Sequence, residues 1–343
     1  MINPFLRFKI KLPKECFSFG LDIGSSMVKL VKLKLSGDKA ELCNFAVEHY
    51  EDEAGLEPAV KKVVQSQDIR KVNISVSGPA TIIRYVDFPK MKQDEFRQSL
   101  KFEAQKHIPF ALNEVSLDGT VLKEDLPDNK MFALLAAVKK DFLEKRIKLC
   151  EDAGLKVNII DIDSIALINA FNFNYSDQAD LKGKTVALLN IGAATTNLNI
   201  LEDGLPRLSR DMHIAGNSIT QKIAEVLSLD LKTAEILKNN PDKERAEKMA
   251  VATESVLSNL AREIRVSFDF YESQSASSVI KIFLSGAGAL AMGLKDTMKN
   301  LLGIEVDYWD PLRQISISSH LDAQNLKVLA NQLAVAVGLA LRR

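Results

Sequence analysis

Leu21-Asp22-Ile23-Gly24-Ser25-Ser26 and, 168 residues later, Leu189-Asn190-Ile191-Gly192-Ala193-Ala194 are two versions of one hexapeptide, and their reading decides the fold. In each, an apolar run reaches a short polar residue, reverses through small residues and leaves again as an apolar run. The first opens three strand-like runs, 17–23, 27–35 and 40–49, broken at Gly24-Ser25-Ser26 and Ser36-Gly37-Asp38 where turn chemistry is expected. The second opens 184–191, 196–202 and 206–213 in the same order. A repeat on this scale predicts two similar α/β lobes facing each other, with a ligand site where the equivalent turns converge.

Working outward, residues 56–65 read as a helix and 72–77 as a strand. Residues 79–138 change character: strand 81–88, helix 93–106 and strand 131–138, with 115–122 open, form a small inserted α/β subdomain. Helix 139–153 stops at Gly154, before strand 157–160 and helix 164–171. The second half continues with helices 218–227 and 231–238. Pro241, with Asp242 and Glu244 complementing the dipole, is expected to open a long helix to about residue 273. Strand 279–284, helix 289–302 and a closing helix 326–341 complete the chain. The expected division is a tail 1–16, a first lobe of 17–78 and 154–183, an insert 79–153 for partner binding, and a second lobe 184–343. The C-terminal helix of that lobe could return to the first.

Composition excludes several classes. Of 343 residues, 45 are Lys or Arg and 45 are Asp or Glu, so no positive excess points to nucleic acid. Three cysteines (Cys16, Cys43, Cys150) without CxxC spacing suit neither a disulfide framework nor a zinc site and fit a reducing cytosol. The longest apolar stretch, 333–341, is too short to span a bilayer. The N-terminus MINPFLRFKIKLPK interleaves Arg7, Lys9, Lys11 and Lys14 with Phe5, Leu6, Phe8 and Ile10. It is not a secretion signal; it reads as an exposed tail that could touch an anionic lipid surface. The four histidines lack ligand spacing, and GxSxG, HExxH and Walker A strings are absent.

Four turns carry the chemistry. Gly24, Ser25 and Ser26 let backbone N–H groups approach an anion, with hydroxyls adding donors. Asp22 at the strand end is placed to hold a divalent cation through water. Lys29 could add a positive charge, or strand alternation could aim it at solvent. The second turn repeats this with Asn190, Gly192, Thr195 and Thr196, an amide replacing the carboxylate. Gly216 and Asn217 precede a helix whose N-terminus would present free N–H groups. Finally Ser285-Gly286-Ala287-Gly288 joins an apolar strand to a helix, an arrangement that seats a nucleotide without being a Rossmann fingerprint. Each turn alone would also suit a plain hairpin or helix cap; the four in this order are much more specific. Arg262, Glu263 and Arg265 on the long helix could border an adenine or form a solvated face.

That order resembles the actin, sugar-kinase and heat-shock ATPase superfamily, and within it the PilM family of type IV pilus assembly proteins, relatives of the division protein FtsA. The residues that carry the resemblance include Gly20 through Ser26, Phe102-Glu103-Ala104, His107-Ile108-Pro109-Phe110, Asn113-Glu114-Val115-Ser116-Leu117-Asp118, Gly216 through Thr220, and 338–342; the stretch from Ile108-Pro109-Phe110 to Glu114–Asp118, in the insert, is the family-specific part. The resemblance implies an α/β, actin-like (ribonuclease H-like) duplicated two-lobed fold with an inserted small α/β subdomain. It implies ATP or ADP with Mg2+ in the cleft and a cytoplasmic protein peripheral at the inner membrane. The implied partners are a PilN-like bitopic inner-membrane protein, bound through its cytoplasmic N-terminal peptide, and other alignment-complex proteins, with a homo-oligomer open. Asn190 stands where the family usually has aspartate, which implies weak or absent hydrolysis, and Ala287 where a third glycine is common, which tightens the adenosine turn by one methyl group.

Two other functions compete. A small-molecule kinase of the superfamily needs a carboxylate base near the γ-phosphate, for which Asp161 and Asp163 are the candidates. An FtsA-like polymer-forming division protein would carry a C-terminal amphipathic membrane helix after a linker, whereas this sequence runs from its closing helix to Arg343.

Overall fold

The computed structural model describes residues 15–65, 67–240 and 242–342. The basic N-terminal segment 1–14 and Pro241, expected to open the long helix, lie outside the described residues.

The first half folds as β1 (Cys16–Ile23), β2 (Met27–Ser36), β3 (Lys39–His49), α1 (Glu53–Gln65) and β4 (Lys71–Val76). Then come β5 (Thr81–Pro89), α2 (Gln93–His107), β6 (Val115–Leu126) and β7 (Lys130–Lys139), before α3 (Lys140–Asp152), β8 (Lys156–Ile162) and α4 (Asp163–Tyr175). The second half gives β9 (Thr185–Ile191), β10 (Thr196–Glu202), β11 (Leu205–Met212), α5 (Gly216–Leu227), α6 (Leu231–Asn239) and α7 (Ala246–Gln274). It ends with β12 (Val279–Ser285), α8 (Leu294–Leu302), β13 (Glu305–Tyr308), β14 (Ser316–Ile317), α9 (Ala323–Leu329) and α10 (Ala334–Ala340).

Among the described residues the strands form three sheets, ordered β14-β3-β2-β1-β4-β8, β11-β10-β9-β12-β13 and β5-β7-β6. The first two share one plan. An antiparallel three-strand meander, β1–β3 or β9–β11, pairs its first strand in parallel with a strand that follows the helices, β4 or β12. The repeated hexapeptides sit at the same corner of this plan. Gly24 N–H donates to Met27 O at 3.0 Å and Gly192 N–H to Thr195 O at 2.9 Å, so each closes the first hairpin of its sheet.

Both faces of the central strands are covered, which is why β9 reads as a near-continuous apolar run rather than an alternating one. Leu30 packs with Val60 of α1, while Leu33 packs with α4 and α10 in a core shared with Leu188 and Phe283 of the second sheet. The closing segment reaches that core because it is small. A Cβ on Gly338 would stand 1.8 Å from Ala166 O, and one on Gly20 would stand 2.1 Å from Ala336 O, so α10 touches α4 and β1 backbone to backbone.

Several boundaries differ from expectation. The closing helix is broken between Leu329 and Ala334 by a 3-10 turn, because Asn331 O leaves the helical ladder to accept Gly286 N–H at 2.9 Å. The helix expected from 289 starts at Leu294, after Gly293 adopts φ +75°. The long helix begins at Ala246; before it, Asp242 Oδ1 accepts Arg245 N–H at 2.7 Å and closes a separate turn. The open run 115–122 is strand β6. Among the described residues no helix is long and apolar enough to cross a membrane.

Candidate functional site

Asp22 and Lys29 are opposite residues of the β1–β2 ladder, so both side chains leave the same face. Lys29 Nζ lies 2.7 Å from Asp22 Oδ2, with both side chains almost buried; the lysine points at the carboxylate, not at solvent. Beside them the Tyr50 hydroxyl donates to Gly24 O and braces the turn. Asp163, the first residue of α4, faces the same space. Burial pushes its carboxyl up to about 6, the Asp22 charge adds to the rise, and the hydroxyls of Ser75 and Ser77 oppose it. Among the described residues, no group of three or more His, Cys, Asp or Glu side chains is arranged to hold a metal ion.

In the second sheet Ser285, Asn190, Asn197 and Asp211 are successive register partners across β12, β9, β10 and β11. They form one polar rung. Ser285 Oγ donates to Asn190 Oδ1 (3.2 Å), Asn190 Nδ2 to Asn197 Oδ1 (3.1 Å), and Asn197 Nδ2 to Asp211 Oδ1 (2.7 Å). Asp211 Oδ2 accepts the Gly78 N–H at 2.9 Å, where the chain passes from β4 into β5. An ionised carboxylate only accepts, so Asp211 sets the direction of every bond in the rung. Asn190 must donate to Asn197, and an amide is required there; this gives a physical reason for asparagine in place of aspartate.

The glycine turns converge. A Cβ on Gly288 would lie 2.6 Å from Gly192 O, one on Gly286 2.3 Å from Ile191 O, and one on Gly216 3.1 Å from Gly192 O and 3.6 Å from Gly288 Cα. Gly286 also has φ +90°, which an L side chain rarely adopts. The start of α5 differs from expectation. Its first N–H groups are not free, because Gly216 donates to Gly192 O at 3.0 Å and Asn217 to Ala193 O at 2.8 Å; they shape the second turn. Thr196 is likewise spent internally, on Ile214 O at 2.7 Å.

Sequence reasoning missed Glu235 and Lys238. Lys238 is buried on α6 beside Gly216, its Nζ 2.9 Å from Thr220 Oγ1 and 2.6 Å from Glu235 Oε2. Burial alone would raise the Glu235 carboxyl; Lys238 and Thr220 more than reverse this and hold it below its ordinary value. The available signal was a lysine next to the apolar face of a helix. Conversely, Glu263 pairs with Arg210 at 2.5 Å and Arg265 binds Leu302 O at 2.5 Å, so these two side chains tie α7 to β11 and α8. Asp161, a candidate kinase base, is held by Arg342 at 2.9 Å and by the Ile162 N–H at 2.8 Å.

Outside the cleft, a groove of about 260 Å3 runs between β5, the first lobe and β11, lined by Gly78, Thr81, Ile82, Arg84, Ser164 and Asp211 among others. Both β5 and β11 are terminal strands of their sheets. Tyr85 and Ser209 join hydroxyls across it at 2.8 Å.

A duplicated meander with facing turns and a third small sheet inserted in the first half defines an actin-like fold. A family model described as "Type IV pilus assembly protein PilM" matches residues 20–343, and the chain belongs to that family. The solved "PilM-PilN type IV pilus biogenesis complex" is similar at 26% identity and TM-score 0.84, covering 96% of this chain and 99% of that one. The ethanolamine utilization protein EutJ from Carboxydothermus hydrogenoformans shares the fold at 14% identity and TM-score 0.55, over 96% of this chain and 90% of that one. The resemblance read from the motifs is met at the level of family and fold.

Proposed function

We propose that the protein is an actin-like scaffold of the type IV pilus assembly complex that holds an adenine nucleotide between its lobes and binds a PilN-like membrane protein. The observation that carries the nucleotide reading is the convergence of Gly192, Gly216, Gly286 and Gly288, whose missing side chains let the second turn, the start of α5 and the Ser285–Gly288 turn meet backbone to backbone at one corner of the second sheet. Gly24, Ser25, Ser26 and the Gly192–Thr195 turn would face the phosphates, Asn217 the start of α5, and Ser285–Gly288 the adenosine, with Glu235 and Lys238 alongside. Lys29 already matches Asp22, so a Mg2+ ion drawn to that carboxylate competes with the ammonium. Such a cation would neutralise charge on a departing phosphate. With Asn190 an amide that brings no charge of its own, binding should exceed turnover, and hydrolysis should be slow.

The family and the PilM-PilN neighbour support the partner: the cytoplasmic N-terminal peptide of a bitopic inner-membrane protein, which would place the scaffold at that membrane. The groove between β5 and β11 suits an extended peptide, because sheet edges offer main-chain groups and Ile82 an apolar contact. Calorimetry with ATP and ADP should show binding that Gly288→Val and Gly24→Val abolish; unchanged affinity in both variants rejects the cleft. Anisotropy of a labelled PilN-like N-terminal peptide should show binding weakened by Ile82→Glu, and full-strength binding rejects the groove.

A further inference from the structure

We propose that Tyr50 is the positioning residue of the first turn, holding its backbone so that N–H groups rather than carbonyls face a bound polyphosphate. The role rests on the nucleotide reading above and names the residue that prepares one half of that site. Tyr50 follows β3 directly and reaches back to the β1–β2 turn twice. Its backbone N–H donates to Ser26 O at 3.1 Å, and its hydroxyl donates to Gly24 O. One residue thus takes two carbonyls of the turn. Carbonyl oxygens repel a phosphate and N–H groups attract it, so a turn that receives an anion must aim its carbonyls elsewhere. Among the described residues the Ser25 and Ser26 N–H groups donate no hydrogen bond, which leaves them for a ligand.

The duplication supplies an independent comparison. In the second lobe the chain leaving β11 captures two turn carbonyls by other means: the Gly216 N–H donates to Gly192 O at 3.0 Å and the Asn217 N–H to Ala193 O at 2.8 Å. Each lobe therefore braces its hairpin turn from the segment that follows its third strand, and in the first lobe that brace is Tyr50. The ring is itself held in place. A Cβ on Gly55 of α1 would stand 3.2 Å from Tyr50 Cβ, and the ring packs on the core of Ile23, Val28 and Val60. Burial raises the hydroxyl's pKa above its ordinary value, opposed by the Arg146 charge and helped by that of Asp22, so the group keeps its proton and donates at neutral pH. Its bond to Gly24 O polarises the Gly24–Ser25 peptide and makes the Ser25 N–H a stronger donor. Lys29 is no substitute, because its ammonium is matched to Asp22 at 2.7 Å.

The test is calorimetric titration of the full chain with ATP, ADP and adenosine, comparing the parent with Tyr50→Phe and Tyr271→Phe. The first variant keeps the ring and the backbone bond to Ser26 and loses only the hydroxyl. Tyr271 is buried on α7, and its hydroxyl bonds Thr185 at 3.2 Å and Ser275 at 3.1 Å. Thr185 begins β9, at the end of that strand away from the second turn, so this variant reports general destabilisation. Tyr50→Phe should weaken ATP and ADP by about two- to tenfold and leave adenosine, which has no phosphate, unchanged. Tyr271→Phe should lower the melting temperature and leave all three affinities as in the parent. Parental affinity of Tyr50→Phe for ATP and ADP overturns the role, as does an equal loss for adenosine or an equal loss in Tyr271→Phe. A parent that binds none of the three overturns the nucleotide reading and this role with it, whereas the other failures leave that reading standing.

Discussion

The Ser25 hydroxyl accepts a 3.2 Å hydrogen bond from the Ala194 backbone N–H, joining the two equivalent turns of the duplicated fold across the cleft. An anion seated between the turns must take that N–H from Ser25. The hydroxyl thus stands in the place where a phosphate oxygen would accept, and opening the lobes and binding a ligand become one event.

Ser25→Ala removes this bridge, worth about 0.5–1.5 kcal/mol. Amide exchange over residues 192–196 in the nucleotide-free protein should quicken by up to about tenfold. Added nucleotide should restore protection. Identical exchange in parent and variant would show that the hydroxyl does not hold the turns together.

Asn190→Asp places a second acceptor against Asn197 Oδ1, whose orientation Asp211 dictates. The variant should lose about 1–3 kcal/mol at neutral pH. Protonating the new carboxyl restores a donor, so the loss should shrink in acid. Urea midpoints on both sides of the carboxylate range test this, and phosphate release at saturating ATP-Mg tests whether the new charge gains turnover. A midpoint equal to the parent's at neutral pH refutes the directional rung.

Asp163 should make stability depend on pH. Its folded carboxyl sits at about 6, above the ordinary 3.8, so the folded state binds the proton more tightly than the unfolded chain. The group therefore costs nothing below the lower value, and stability falls as pH rises from about 4 to beyond 6. The full cost is at most about 3 kcal/mol. Asp163→Asn should flatten that part of the profile and raise stability near pH 7. A parallel fall in both proteins would place the titration elsewhere.

Gly338→Ala separates fold from site. Its Cβ would meet Ala166 O at 1.8 Å, so α10 must retreat from α4, at a cost of about 3 kcal/mol or more. The effect should appear in the melting temperature, with nucleotide affinity of the folded fraction unchanged. Gly288→Ala, whose Cβ would stand 2.6 Å from Gly192 O where the glycine turns meet, should lower the melt and weaken nucleotide binding as well. Equal effects on both readouts in both variants would dissolve the distinction.

What the sequence determined by itself was whatever repeats or punctuates locally. The two hexapeptides, their hairpins and the order of the glycine turns were legible because turn chemistry acts between residues a few positions apart. The duplicated fold followed from finding that pattern twice. Tertiary structure alone decided which polar groups remain free. Lys29 meets Asp22 because antiparallel register sends partners to one face, and the rung Ser285–Asn190–Asn197–Asp211 exists because β12, β9, β10 and β11 are neighbours in the sheet though not all in sequence. The same holds for the break before α10, where a carbonyl chose Gly286 over its own helix, and for Lys238, buried where α6 meets Gly216. Hydrogen bonds between distant residues depend on sheet order and packing, and neither is written in the spacing of the residues they join.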